Sequence, residues 1–269
     1  MGPVGRSAAS ARAPDDVADS TRLDVAVAER GLARSRSQAA ELIAARRVRV
    51  DGAVVAKAGM RIAENSVLEV EGADHYVSRA AQKLLAGLDA FGVSADGALA
   101  LDLGASTGGF TQVLLERGAR EVIALDVGHG QLVEQLRADS RVRVVEGCNA
   151  RELTAESLAE VSGTDEAPAL VVGDLSFISL TLVLPAIARV VASVAELVLL
   201  IKPQFEVGKG GIRDGIVVDA ALAEEAVERV VACAVDCGFI FGGTAPSPVT
   251  GEHGNREFLA YFFKEVNAV

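Results

Sequence analysis

From residue 98 onward, short apolar runs alternate with stretches in which apolar residues recur every three or four positions. The runs are ALALDLG, EVIALDV, VRVVEG, ALVVGDL, ELVLLIK, FIFGGT and EFLAYFF. Each fits a strand, and the intervening stretches fit helices. Such alternation predicts an α/β fold, a mainly parallel sheet with helices on both faces, in which ligands bind at the carboxyl ends of the strands. The final two runs, separated by a loop with two prolines, are expected to pair antiparallel at one edge.

The earlier part of the chain follows another pattern. Leu23, Val27 and Leu32 predict one short helix and residues 37–45, SQAAELIAA, a second. RVRVDGAVV then predicts two short strands around an Asp51-Gly52 turn, a strong hairpin signal. Two helices and a hairpin make a small α+β module over residues 21–72. Residues 1–20, rich in Ala, Ser and Pro, are expected to be a disordered tail. A linker over residues 73–77 leads to the larger domain, residues 78–269.

Composition restricts the setting. The chain has 269 residues, half of them hydrophobic, enough for one substantial core and a smaller one. The most apolar window, VLPAIARVVASVAELVLLI, is broken by Arg189 and Glu196, and no membrane span is expected. The opening residues lack the apolar core of a secretory signal, so a cytoplasmic location is expected. Cys148, Cys233 and Cys237 have no paired ligand spacing, and His75, His129 and His253 are scattered, so buried thiols and no metal are expected.

The net charge of −11 argues against a general nucleic-acid coat, but it is unevenly distributed. Between Arg30 and Arg61 stand eight Lys or Arg against two acids. This segment, RLDVAVAERGLARSRSQAAELIAARRVRVDG, resembles the S4 RNA-binding domain. The resemblance implies that Arg34, Arg36, Arg46, Arg47 and Arg49, with Lys57, face RNA phosphates. Guanidinium forks suit that task because they match phosphate oxygens bidentately.

In the larger domain, LDLGASTGGF marks the first strand-to-helix turn, where glycines let backbone approach a ligand. The next strand ends in Asp126, a carboxylate placed to accept from both hydroxyls of a nucleoside ribose. The glycine spacing differs from the dinucleotide fingerprint, and no phosphate loop is present. Asp102, Gly104, Ser106, Thr107, Gly108, Gly109, Phe110 and Asp126 together resemble the S-adenosylmethionine site of class I (Rossmann-like) methyltransferases. A purely structural turn or a nicotinamide site are the alternatives.

Three further segments carry charge beside apolar runs: VVGDLSFISL with Asp174, LLIKPQFEVGKG with Lys202, and GNREF with Glu257; VSRAAQKL adds Lys83. With the S4-like head and DLGASTGGFT, these motifs in this order resemble the TlyA family of ribosomal RNA 2′-O-methyltransferases over residues 21–265. The resemblance implies that Lys83, Asp174, Lys202 and Glu257 form a catalytic tetrad, and that the substrate is a cytidine in ribosomal RNA or an assembled subunit. A ribose hydroxyl is a poor nucleophile at neutral pH and must be deprotonated or polarised as it attacks the methyl group. Lys202 is assigned that role, with its protonation state open, Asp174 orients it, and Lys83 and Glu257 position the ribose and tune the charge. Singly, Asp174 also reads as a helix cap, Lys202 as a surface lysine and Lys83 as a helix flank. Phe177 and Asn149 are candidates to pack on the cofactor and to face its adenine edge; a core aromatic is the alternative for Phe177.

The chain departs from the family with Ala80-Ala81 after the Ser-Arg pair and with DHYV in the linker, where some relatives have Arg-x-Trp-Val. It continues 12 residues past Glu257, whereas one branch of the family runs into a further helix. Resemblance to the shorter branch implies the large-subunit RNA as substrate. A monomer is expected. Three rivals are a non-catalytic RNA-binding or ribosome-assembly factor, a nicotinamide-dependent oxidoreductase, which the glycine spacing disfavours, and a membrane-active haemolysin, for which no convincing apolar segment is present.

Overall fold

The computed structural model describes residues 20–265 except 31, 34, 64, 71–74, 252 and 253, and of Lys209 only the backbone. The chain divides into two compact units, Met1–His75 and Tyr76–Val269. Residues 1–19 of the predicted tail and Arg34 lie outside the described residues, and Ser20, the tail's last residue, begins a strand.

In the first unit, β1 (Ser20–Arg22) leads into α1 (Leu23–Glu29), and α2 (Arg36–Ala44) follows with Ser35 as its cap, its side chain accepting from Gln38 N–H. Then come β2 (Val48–Val50), β3 (Ala53–Val55), β4 (Arg61–Ala63) and β5 (Leu68–Val70). The predicted hairpin is β2–β3, in which Val50 pairs with Ala53 around Asp51 and Gly52. Both turn residues have positive φ, 50° and 81°, as a tight hairpin turn demands. The other three strands are three residues each and carry no pattern of their own. β5 joins β2 on its other side and β1 pairs with β4. Leu23, Val27, Leu42, Ile43 and Val48 form the core. Asp24 accepts from Arg22 Nε at 2.9 Å and from Arg36 at 3.2 Å. The Arg22 hydrogen bond foremost holds its carboxyl down to about 2. The clasp is therefore complete above the ordinary carboxylate range and is lost only as pH falls toward 2.

The second unit contains α3 (Ala80–Phe91), β6 (Leu99–Leu103), α4 (Gly109–Glu116), β7 (Glu121–Leu125), α5 (Glu134–Arg137), β8 (Val142–Val145), α6 (Ala155–Ser162), β9 (Leu170–Gly173), α7 (Leu180–Val190), β10 (Ala195–Ile201), α8 (Pro203–Glu206), α9 (Ala220–Asp236), β11 (Ile240–Pro246) and β12 (Phe258–Lys264). Seven strands form one sheet in the order β11-β12-β10-β9-β6-β7-β8. β8, β7, β6, β9 and β10 are parallel, and β12 runs antiparallel to both β10 and β11. The expected antiparallel pair is present, but β12 lies inside the sheet and only β11 is the edge.

Strand alternation sorts the core into two layers. Leu99, Leu101 and Leu103 of β6 face Val183, Leu184 and Ile187 of α7 and Val230 of α9. Ala100, between them, faces the layer of Leu84 and Leu88 from α3 and Phe110, Val113 and Leu114 from α4. Asp102 falls on the second face and is wholly buried. Tyr76 and Val77, from the predicted linker, pack on this layer, and Val77 N–H donates to Gln112 Oε1 at 2.9 Å. Among the described residues no helix is long and apolar enough to cross a membrane.

Candidate active site

Each charged residue of the predicted tetrad leaves its element at the same end of the sheet. Asp174 follows the last residue of β9 and Lys202 the last of β10. Because β12 is antiparallel, its first residue, Phe258, pairs with Ile201, and Glu257 therefore emerges next to Lys202. Lys83 comes from the first turn of α3. The four stand as a row of alternating charge: Lys202 Nζ is 2.6 Å from Asp174 Oδ1, Lys83 Nζ is 3.7 Å from Asp174 Oδ2, and Lys83 Nζ donates to Glu257 Oε2 at 2.6 Å. Lys83, Lys202 and Glu257 are buried, each no more than 8% exposed. Burial of full charges is tolerated only with such mutual pairing.

Beside the row lies a cavity of about 160 Å³ lined by Gly104, Ser106, Thr107, Gly109, Phe110, Asp174 and Lys202, together with Ser78, Ala80, Ala105 and Ser176. The predicted turn and two members of the tetrad thus share one wall. Gly104, at φ +81°, brings its backbone so near β9 that a Cβ there would sit 3.2 Å from the Asp174 carbonyl oxygen. Gly108 has φ +101°, and a Cβ on it would lie 2.3 Å from Leu136 Cδ1. Gly108→Ala is accordingly expected to lower stability by about 1–3 kcal/mol and weaken cofactor binding, measured by urea denaturation and calorimetry. Unchanged stability would mean that the turn relaxes freely.

Asp126 lines a smaller recess with Ser106, Gln131 and Glu146. Its oxygens accept from Ser106 N–H at 2.8 Å and Gly128 N–H at 2.7 Å, and each keeps a second lone pair. Four other predicted residues are placed elsewhere. Gly108 lines neither cavity and packs against Leu132 and Leu136. Asp102 lies beneath the turn, lining neither cavity, and its Oδ2 accepts from Thr111 Oγ1 at 2.7 Å while Oδ1 has no hydrogen-bond partner. Asn149 lines neither and caps the short helix Ala150–Glu152, accepting from Arg151 N–H. Phe177 also lines neither; it is 88% exposed at φ +63°, its ring 5.2 Å from that of Phe205. Neither a buried core position nor a place on the cavity wall describes it.

Several residues inside the quoted motifs escaped sequence reasoning. Ser176 Oγ accepts a hydrogen bond from Lys202 Nζ at 2.8 Å. Glu206, the acid of KPQFE, accepts from Ser179 Oγ at 2.5 Å and Leu180 N–H at 2.8 Å, tying α8 to the start of α7. Burial pushes its carboxyl up, against those two hydrogen bonds. Asn255 of GNREF, 3% exposed, donates to the Gly215 carbonyl at 2.7 Å and accepts from Val217 N–H at 3.1 Å, clasping one loop to the other. Each stands within four residues of a charged residue that the motifs had already singled out, and that proximity was the available signal.

In the first unit, Arg46 and Arg49 are exposed and Arg47 is half-buried, along the stretch from the end of α2 into β2; Lys57 is exposed after β3. Arg36 remains 62% exposed at its side chain although it pairs with Asp24.

Comparison with known proteins agrees with this arrangement. Residues 76–264 match the FtsJ-like methyltransferase family and residues 21–68 the S4 domain. The chain is 46% identical over 243 residues to the 16S/23S rRNA (cytidine-2′-O)-methyltransferase TlyA of Mycobacterium tuberculosis, covering 89% of this chain and 88% of that protein. It is 41% identical to Hemolysin A of Brachyspira hyodysenteriae, covering 90% and 99%. The hemolysin-like chain solved from Streptococcus thermophilus superposes with a TM-score of 0.70 at 40% identity, covering 92% of this chain and 89% of that one. With the matched residues spanning most of the chain, the protein belongs to the FtsJ-like methyltransferase family.

Proposed function

We propose that this protein transfers a methyl group from S-adenosylmethionine to the ribose 2′-hydroxyl of a cytidine in ribosomal RNA, in the large subunit. The observation that carries the reading is the row Lys202–Asp174–Lys83–Glu257 opening beside the glycine-turn cavity. The named activities of relatives support the substrate: the Mycobacterium tuberculosis protein and the 38% identical Campylobacter jejuni 23S rRNA (cytidine-2′-O)-methyltransferase TlyA both modify 23S rRNA by name. A non-catalytic RNA-binding factor has no use for four paired charges, three of them buried, two of which line a cavity.

The site suits the cofactor. The turn's positive φ at Gly104 presents backbone to the cavity, and Asp126 offers two free lone pairs to a ribose. S-adenosylmethionine, when bound, supplies an electrophilic methyl group. Ser106, Thr107, Gly109 and Phe110 would hold its polar portion, and Asp126 would hold its ribose. Lys202 meets the substrate's 2′-oxygen, taking its proton as the neutral amine or stabilising the forming alkoxide as the ammonium. Asp174 holds Lys202 close by charge. Lys83 and Glu257 neutralise one another and keep Asp174 from standing alone in a buried row. Arg34, Arg36, Arg46, Arg47, Arg49 and Lys57 bind RNA phosphates, setting register without reading sequence. The first unit thus supplies affinity and the second the chemistry, within one monomer acting in the cytoplasm.

The test is transfer of labelled methyl from S-adenosylmethionine to unmodified large and small ribosomal subunits. Label in the large-subunit RNA, at a position resistant to alkaline cleavage, is the expected result. A folded, cofactor-binding protein that labels neither subunit overturns the enzymatic reading; label confined to the small subunit overturns the large-subunit preference.

A further inference from the structure

The four charged residues do not by themselves determine where the Lys202 amino group points. Attraction between opposite charges is nearly indifferent to direction, whereas a hydrogen bond requires alignment. Asp174 Oδ1 lies 2.6 Å from Lys202 Nζ, yet no donor is aligned on that oxygen. The ion pair therefore sets the distance and leaves the aim free. Lysine has a flexible four-carbon stem and a rotating head, so an unaimed amine samples many directions.

Among the described residues, the one aligned hydrogen bond of Lys202 Nζ goes to Ser176 Oγ, at 2.8 Å. Ser176 lines the same cavity as Lys202 and Asp174. We propose that Ser176 is a positioning residue for methyl transfer, its hydroxyl aiming the Lys202 amino group into the cavity. The proposal rests on the ribose methyltransferase reading above. Around a tetrahedral nitrogen, the bond to Cε and the aligned hydrogen bond to Ser176 fix two directions and thereby set the other two, whereas the unaligned Asp174 contact fixes none. The two that remain carry protons of the ammonium, or a proton and the lone pair of the amine. Serine oxygen accepts from either form, so the aim is the same in both protonation states.

The segment that carries Ser176 is itself held. Three residues on, Ser179 and Leu180 are fastened to Glu206, which lies in the helix that begins immediately after Lys202. The adjacent Phe177 occupies the left-handed region at φ +63°, which is strained for a residue with a side chain. Strained backbone of that kind persists where surrounding contacts impose it, and here it separates the oxygen on Lys202 from the anchor on Glu206. Reactions between positioned groups lose rate steeply when aim is lost, because the near-attack geometry is no longer pre-formed.

The test compares wild type, Ser176→Ala, Ser176→Thr, Lys202→Ala and the double variant Lys202→Ala/Ser176→Ala on unmodified large subunits, with cofactor affinity measured by calorimetry. Ser176 is exposed, so loss of its oxygen or gain of one methyl group leaves the fold intact. The expected result for Ser176→Ala is a fall in kcat of about tenfold, with KM for the subunit and the cofactor Kd within about twofold. Ser176→Thr returns most of the rate, and Ser176→Ala adds no further loss once Lys202 is absent, because it acts through that residue. An unchanged kcat, a loss that threonine does not restore, or an additive loss in the double variant overturns the proposal. If Lys202→Ala transfers methyl as fast as wild type, the lysine reading has failed; if it is inactive while Ser176→Ala is normal, only the role of Ser176 has.

Discussion

Lys202→Ala is expected to lower the single-turnover rate of methyl transfer by about 10³-fold while cofactor affinity changes by no more than about threefold. Proton transfer by a positioned side chain contributes about 10²–10⁴-fold, and a fixed charge beside a developing oxyanion is of similar worth. Lys202 is the tetrad lysine on the cavity wall, whereas Lys83 is spent on Glu257 at 2.6 Å. Truncation leaves Asp174 with Lys83 at 3.7 Å, so its charge keeps a partner and the fold is kept. The loss should therefore appear in the chemical step and not in stability. A rate within tenfold of wild type in a folded variant, measured by rapid quench with labelled cofactor, would remove Lys202 from the reaction.

Asp102→Asn is expected to make the protein more stable than wild type at pH 8, by up to about 4 kcal/mol, and no more stable at pH 4. The Asp102 carboxyl is pushed up to about 7, chiefly because it is cut off from water; the Thr111 hydroxyl opposes that shift and Asp174 and then Asp126 add repulsion. The folded state thus holds a proton that the unfolded chain releases near pH 4. The contribution of Asp102 to wild-type stability should be greatest below that point, fall as pH rises toward 7, and level off above it. Asparagine resembles the protonated acid at every pH and keeps an oxygen for Thr111, so its variant lacks the decline. Urea denaturation from pH 4 to 8 checks this; parallel curves for the two proteins would show that Asp102 ionises at its ordinary pH inside the fold. The carboxylate was expected to touch the cofactor, and its place under the turn gives it a structural cost instead.

Much of the second unit was readable because its strands are local objects. Each apolar run fills a strand, and the glycines of LDLGASTGGF stand where β6 meets α4. Lys83, Asp174, Lys202 and Glu257 were singled out as a set through the family resemblance that their motifs carry, since each alone also reads as an ordinary cap, flank or surface residue. The first unit was harder. Three-residue strands such as β4 and β5 are too short for alternation to register, and their pairing with β1 and β2 is what makes them strands at all.

Taken alone, the amino-acid order determined the element types, the strand-to-helix turn and the identities of the four charges. Periodicity and turn chemistry act over a few residues, and they survive in any local reading. Sheet order and register were decided only by the tertiary structure. The antiparallel insertion of β12 beside β10 puts Glu257 at the end of the sheet where Lys83 reaches it, and Lys83 also stands 3.7 Å from Asp174, more than 90 residues away along the chain. Burial likewise decided that Asp102 is a core acid, that Phe177 stands in solvent, and that Ser176 rather than another hydroxyl meets Lys202. These outcomes depend on angstrom-scale distances between segments far apart in the chain, and a hydrogen bond or an ion pair exists only once packing has set those distances.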